Sequence, residues 1–280
     1  MITRRIDLYE YFNVTRPDGA TGYLDVYTHP IDEDFSKNKI RPAMLIIPGG
    51  GYAYVSPREK EPIVMKYLAE GFNCYALTYS VLDVAKYPIP VIEAVMAMLY
   101  VKETAEELHT SVEKVCSVGF SAGGQLNGML ITAFGNKKIV EVLGERAKDA
   151  CPNATIFSYA VIRMEGLTHN HTISKITGDD KALYPICDVA SNVKETTPPA
   201  FIWATVEDSG VPVESSLDLA LAYKKVQVPF ELHLYEKGSH GLSTATEEVN
   251  TPNAPVSTWI DLSVTWLKQR GFVPYNKEVK

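Results

Sequence analysis

The chain has 280 residues, 46% of them hydrophobic and 22% charged, with a formal net charge of −7. That length suits one large α/β domain, 1–280, whose core needs no disulfide staples. Lysine and arginine form no block, so the commonest footprint of nucleic-acid binding is missing, and no apolar stretch reaches the roughly 18–20 residues of a bilayer span.

Four cysteines, Cys74, Cys116, Cys151 and Cys187, show no CxxC spacing, which argues against a zinc site or a redox pair. Cys74 and Cys116 fall in apolar runs and read as buried small hydrophobes. The first residues, Met1 to Asp7, are basic but have no apolar region behind them. No signal peptide is expected, and the expected location is cytoplasmic.

In chain order, short β-type runs alternate with longer helical ones. That alternation is the mark of a mostly parallel sheet covered by helices on both faces. Ile6 to Val14 and Tyr23 to Thr28 read as two antiparallel strands around a turn at Pro17-Asp18-Gly19. Ala43 to Ile47 is an apolar run expected to be a central strand, and it ends in Pro48-Gly49-Gly50-Gly51-Tyr52. A helix over about 62–70 and a strand over Asn73 to Tyr79 follow.

Pro90 to Leu108 is expected to be helical, with Val91, Ile92, Val95, Met96, Leu99 and Tyr100 on one face. Lys114 to Gly119 is the next strand, and a helix begins at Ser121 and runs to about Phe134. Ala154 to Ile162 reads as a strand. Between Arg163 and Pro198 the periodicity fails, which makes 163–198 a candidate lid or substrate-facing insertion. Pro199 to Thr205 resumes the sheet, a helix covers about 213–226, and Phe230 to Tyr235 is the last strand. Trp259, Leu262, Ser263, Trp266 and Leu267 mark an amphipathic closing helix.

The strongest chemical signal is Gly119-Phe120-Ser121-Ala122-Gly123, a G-x-S-x-G pattern between a strand and a helix. A sharp turn there leaves the serine in a strained backbone conformation, and side chains two residues to either side would collide. The same pattern can be a turn without chemistry, but here strand, turn and helix follow in the required order. A serine hydroxyl is a poor nucleophile alone and needs a histidine base oriented by an acid.

Six histidines are present. His233 lies inside the last strand. His240 follows it in Gly238-Ser239-His240-Gly241, at the sheet edge where catalytic residues of open parallel sheets gather, and is the expected base. His169-Asn170-His171 has a poor spacing for zinc and reads as a polar insertion loop that could line a substrate pocket. The acid should follow the preceding strand, where Glu207 and Asp208 compete. Asp208, three residues before Val211-Pro212 and a helix, is favoured; Glu207 reads as a solvated neighbour. Gly49-Gly50-Gly51 would let backbone N–H groups approach an oxyanion, with Ala122 N–H as the second donor.

Together these segments, with Pro198-Pro199-Ala200-Phe201-Ile202-Trp203 and Asp208-Ser209-Gly210-Val211-Pro212, resemble the acetyl xylan esterase-like carbohydrate esterases. These are α/β-hydrolases related to the hormone-sensitive-lipase and BD-FAE types. The resemblance runs from about Leu45 to Leu267. It implies the α/β-hydrolase fold, Ser121 as nucleophile, Asp208 as acid, His240 as base and an oxyanion hole around Gly50, Gly51 and Ala122. It also implies deacetylation of sugars or oligosaccharides.

Many relatives carry His-Gly-Gly-Gly where this chain has Pro48-Gly49-Gly50-Gly51, so the bonds supporting that loop must differ. Similar members often carry His-Thr-x-Asp-Asp where Ala204-Thr205-Val206-Glu207-Asp208 stands here; the last aspartate is kept.

The expected function is therefore hydrolysis of short-chain esters, with a small-molecule ester or acetylated sugar as substrate. No metal, organic cofactor, nucleic-acid or membrane partner is expected. A lipase, lactonase or peptidase on the same scaffold, or a silent ligand-binding scaffold, are the rival readings. Whether the chain forms a homo-oligomer is not legible from its residues.

Overall fold

A computed structural model describes residues 1–272. Eight strands, β1 (Ile2–Asp7), β2 (Tyr23–Thr28), β3 (Arg41–Ile47), β4 (Asn73–Thr78), β5 (Thr110–Phe120), β6 (Ala154–Ser158), β7 (Ala200–Thr205) and β8 (Phe230–Tyr235), form one sheet in the order β1-β2-β4-β3-β5-β6-β7-β8. β1 and β2 pair antiparallel to their neighbours. From β4 to β8 every pairing is parallel.

The helices are α1 (Leu8–Phe12), α2 (Glu61–Ala69), α3 (Ile89–Glu103), α4 (Ser121–Ala133), α5 (Lys137–Leu143), α6 (Asn170–Thr177), α7 (Tyr184–Cys187), α8 (Glu214–Lys225), α9 (Ala254–Ser257) and α10 (Trp259–Gln269). None among the described residues is long and apolar enough to cross a membrane.

Alternation along the central strands builds two apolar layers, because successive side chains leave a strand on opposite faces. Leu45 and Ile47 of β3 join Tyr75 and Leu77 of β4 in the layer that holds α3 and α4. Met44, Ile46, Cys74, Cys116 and Val118 join the other layer, with Tyr67 of α2 and Trp259 and Trp266 of α10. Both faces of the sheet are thus covered, the condition under which parallel sheets are stable.

The order of the strands also fixes where a site can form. From β3 the chain passes to β4 on one side, and then returns to β5 on the other. A crevice opens at the carboxyl ends of two such diverging strands. Ile47 pairs with Gly119, so the glycine loop after β3 lies beside the serine turn after β5.

Several expectations are corrected. The strand expected over Ile6 to Val14 ends at Asp7, whose side chain caps α1 by accepting Glu10 N–H at 3.1 Å. Leu8, Tyr9 and Phe12 are buried at helical, not alternating, spacing. The strand expected to reach Ile162 stops at Ser158, and the helix expected to reach Leu108 stops at Glu103. Helix α5 was not expected; Asn136 caps it by accepting Lys138 N–H. The aperiodic 163–198 segment holds α6 and α7 and several tight turns, too short for a period to show.

Helix α3 was expected to present one apolar face, but everything from Pro90 to Val101 is buried, including Glu93. The Glu93 carboxylate accepts from Ser80 N–H at 2.6 Å, Ser80 Oγ at 2.5 Å and Tyr9 OH at 2.9 Å. Burial nevertheless pushes its pKa up to about 7, against the pull of those bonds.

The folded chain therefore keeps this proton where the unfolded chain, at the ordinary 4.5, has lost it. The stability it contributes is full below the lower value and declines as pH rises through the higher one, by on the order of 3 kcal/mol. Glu93→Gln removes this dependence. Thermal midpoints measured between about pH 5 and about pH 8 should show wild type losing stability relative to the variant as pH rises. A difference that stays constant with pH contradicts the assignment.

Candidate active site

Ser121 is the first residue of α4, directly after β5, with a backbone φ of 52°. That left-handed conformation is costly for a residue with a side chain, and it turns the hydroxyl toward the crevice. Close approach explains the flanking glycines. A Cβ on Gly123 would stand 2.1 Å from Pro48 O, and one on Gly119 2.5 Å from Gly123 O. Any side chain at Gly123 would push the β3 loop away from the serine.

Ser121 Oγ lies 2.7 Å from His240 Nε2. His240 Nδ1 lies 2.7 Å from Asp208 Oδ2. The other oxygen of Asp208 accepts Gly210 N–H at 2.8 Å and Val211 N–H at 2.9 Å. With both oxygens engaged and its side chain 1% exposed, this carboxylate is fixed in place. The chain of bonds is consistent when Nδ1 carries the imidazole proton and Nε2 accepts from the serine.

Glu207, the competing acid, is exposed and takes no part in these contacts. His233 stacks on Phe201 at 4.9 Å and pairs with Glu231, on strand β8 rather than at its end.

The glycine loop has a support that the sequence did not reveal. Glu59 is 4% exposed. One of its oxygens accepts Gly49 N–H at 2.7 Å, and the other accepts Tyr159 OH at 2.6 Å. Tyr159 OH in turn accepts Ser243 N–H at 2.9 Å, and the Tyr159 ring meets His240 edge-on at 5.1 Å. One carboxylate thus joins the loop after β3 to the loop that carries His240.

Tyr79 OH adds a bond to Pro48 O at 2.7 Å. These contacts support the glycine loop in a chain that carries proline at position 48. With Gly49 N–H engaged, the N–H groups of Gly50 and Gly51 meet no acceptor among the described residues. Ala122, the other expected donor, follows Ser121 in the first turn of α4, where backbone N–H groups lack helical partners.

Ser121 and His240 open onto a cleft of about 340 Å³ lined by Gly50, Gly51, Tyr54, Ser56, Arg58, Glu59, His169 and His171, among others. Tyr54 is exposed at the cleft, whereas Tyr52 and Tyr79 are buried in the core. His169 and His171, expected on a loop, stand instead at the start of α6. Burial, with the neighbouring His240 and His171, holds His169 below the ordinary imidazole range.

A larger groove of about 890 Å³ lies beyond Arg58, against Pro57, Met65 and Thr246, and touches none of Ser121, Asp208 and His240. Among the described residues no group of three or more His, Cys, Asp or Glu is placed to hold a metal ion.

Residues 24–223 match the family model of BD-FAE. The chain belongs to the BD-FAE family. Endo-1,4-beta-xylanase B of Butyrivibrio fibrisolvens is 31% identical over 220 residues, covering 74% of this chain and 33% of that protein. Acetylxylan esterase of Xylanibacter ruminicola is 25% identical over 212 residues, 73% of this chain and 42% of that protein.

Among solved structures, an acetyl ester-xyloside bifunctional hydrolase from Caldicellulosiruptor lactoaceticus superposes with a TM-score of 0.82 at 30% identity, covering 96% of this chain and 97% of that one. The chain spans 33% to 54% of the length of the curated relatives it matches. This BD-FAE member is therefore an α/β-hydrolase akin to carboxylic ester hydrolases and related to acetylxylan esterases.

Proposed function

We propose that the chain is a serine carboxylic ester hydrolase that removes short acyl groups, acetyl foremost, from sugars or oligosaccharides. The observation that carries the reading is the unbroken chain of bonds from Ser121 Oγ through His240 to the buried Asp208, at the mouth of a cleft. His240 Nε2 takes the serine proton as Ser121 Oγ attacks the ester carbonyl carbon. Asp208 holds the imidazole and offsets the charge it gains. Backbone N–H groups of Gly50, Gly51 and Ala122 receive the oxyanion. The tetrahedral intermediate collapses, His240 protonates the departing alcohol oxygen, and the acyl group stays on Ser121. Water, deprotonated by His240, then releases the acid and restores the serine.

The cleft supports a small, hydroxylated substrate. Among the described residues that line it, Ala53 carries the one aliphatic side chain, while Tyr54, Ser56, Arg58, His169 and His171 offer hydrogen-bonding groups. A long acyl chain would find no aliphatic side chain there beyond Ala53, and hydrophobic burial is what such a chain needs to bind. His169 and His171 also support reading 163–198 as the substrate-facing insertion of a single hydrolase domain.

Hydrolysis of p-nitrophenyl esters of increasing chain length tests the reading. Acetate should be preferred over octanoate by roughly tenfold or more in kcat/KM. Octanoate turned over as well as acetate would overturn the short-acyl assignment.

A further inference from the structure

His169 has two ring nitrogens with different surroundings. Its Nδ1 caps α6, accepting Thr172 N–H at 3.3 Å, and lies 2.7 Å from Thr172 Oγ1. The Thr172 hydroxyl can donate or accept, whereas the Thr172 N–H can only donate, so the helix cap assigns Nδ1 as the acceptor and the ring proton to Nε2. No acceptor among the described residues takes that Nε2–H. Its ring is held on a helix anchored in the core through Ile173 and Ile176.

The ring lines the same cleft as Ser121 and His240. His169 Cε1 lies 3.8 Å from the point a Cβ on Gly51 would occupy, and His171 Nε2 lies 3.9 Å from that point. The tautomer assigned by the cap thus puts an Nε2–H donor beside the loop expected to receive the oxyanion. An acetyl group has no oxygen beyond the reacting ester for it to meet. The alcohol half of a sugar ester has several.

We propose that His169, through Nε2–H, is a specificity-determining residue that donates to a hydroxyl or ring oxygen of the substrate's alcohol half. This rests on the sugar-ester reading above. Depressed basicity of the ring, from burial and from His240 and His171, keeps it in the neutral form that the geometry requires.

His169→Asn isolates the effect, because asparagine is a good helix cap and preserves α6 while removing the Nε2–H. The readout is the ratio of kcat/KM for an acetylated methyl xyloside to that for p-nitrophenyl acetate. The ratio should fall about tenfold in the variant, the range expected when a hydrogen-bonding site loses its partner. A general loosening of the site would lower both substrates together and leave the ratio unchanged, which overturns the inference.

Nitrogen-15 spectra give a second measurement that does not depend on turnover. In Ser121→Ala protein, the His169 shifts should report the Nε2–H tautomer, and the Nε2 resonance should move when the acetylated methyl xyloside is added. An Nδ1–H tautomer, or a resonance that does not respond, overturns the inference. Wild type that cleaves p-nitrophenyl acetate but leaves the xyloside uncut would overturn the sugar-ester reading, and this inference with it.

Discussion

Ser121→Ala lowers kcat for p-nitrophenyl acetate by roughly 10³- to 10⁶-fold, while the fold and its melting temperature persist. The magnitude follows from how serine triads fail. Removing the nucleophile costs nearly as much as removing the whole triad, and only binding and the oxyanion donors remain. The fold should persist because, among the described residues, His240 is the hydroxyl's one hydrogen-bond partner, and alanine keeps the Cβ that packs in the turn. Backbone strain at φ 52° is common to both residues, so the variant relieves none of it. Steady-state kinetics with an active-site titration checks the result. Activity within tenfold of wild type would mean that hydrolysis does not pass through this serine.

Asp208→Asn should lower kcat by about 10⁴-fold, with KM changed far less. The asparagine can keep its bonds to Gly210 and Val211, since those need only one carbonyl oxygen. Its amide must then face His240 Nδ1 and donate to it. That moves the imidazole proton to Nε2, where it blocks acceptance of the serine proton. The loss is one of tautomer, with the packing left intact.

Glu207→Gln is the matching control. Glu207 is exposed and outside the bonded chain, so kcat should stay within about twofold, as for surface changes generally. Equal losses in the two variants would contradict the assignment of Asp208 as the orienting acid.

The two carboxylates show what a sequence can and cannot reveal. Asp208 could be favoured because its distance to Val211-Pro212 and to the next helix fits an acid loop after β7. The structure supplies the physical contrast, one carboxylate buried under two backbone N–H groups and the other exposed. Ser121 and His240 were legible for a similar reason. Each sits at the end of a strand, and strand ends can be read from apolar runs.

Glu59 was not legible. It stands in Pro57-Arg58-Glu59-Lys60-Glu61, a charged run that reads as a solvated face. Its burial depends on Gly49 and Tyr159, which are far apart in the chain. No period or local motif encodes such a contact. The nearest signal was the proline at position 48, which required that some other group support the glycine loop.

The same limit applies to the fold. β3, β4, β7 and β8 were legible because each is a short apolar or β-rich run between turn residues. α1 was misread because five residues are too few to separate a helical period from an alternating one, and the deciding contact is the Asp7 cap. The 163–198 segment failed because its helices are short and its residues serve two surfaces. Ile173 and Ile176 face the core, while His169 and His171 face the cleft.

The central claim is that Ser121 is the nucleophile activated by His240. A fluorophosphonate probe tests it most directly, because it reacts with a serine only where a base and an oxyanion site are assembled. Intact mass and peptide mapping of the labelled protein should find one adduct, on the peptide containing Ser121, and none in Ser121→Ala. An adduct on another residue, or ester hydrolysis by a protein that the probe leaves unlabelled, would contradict the account.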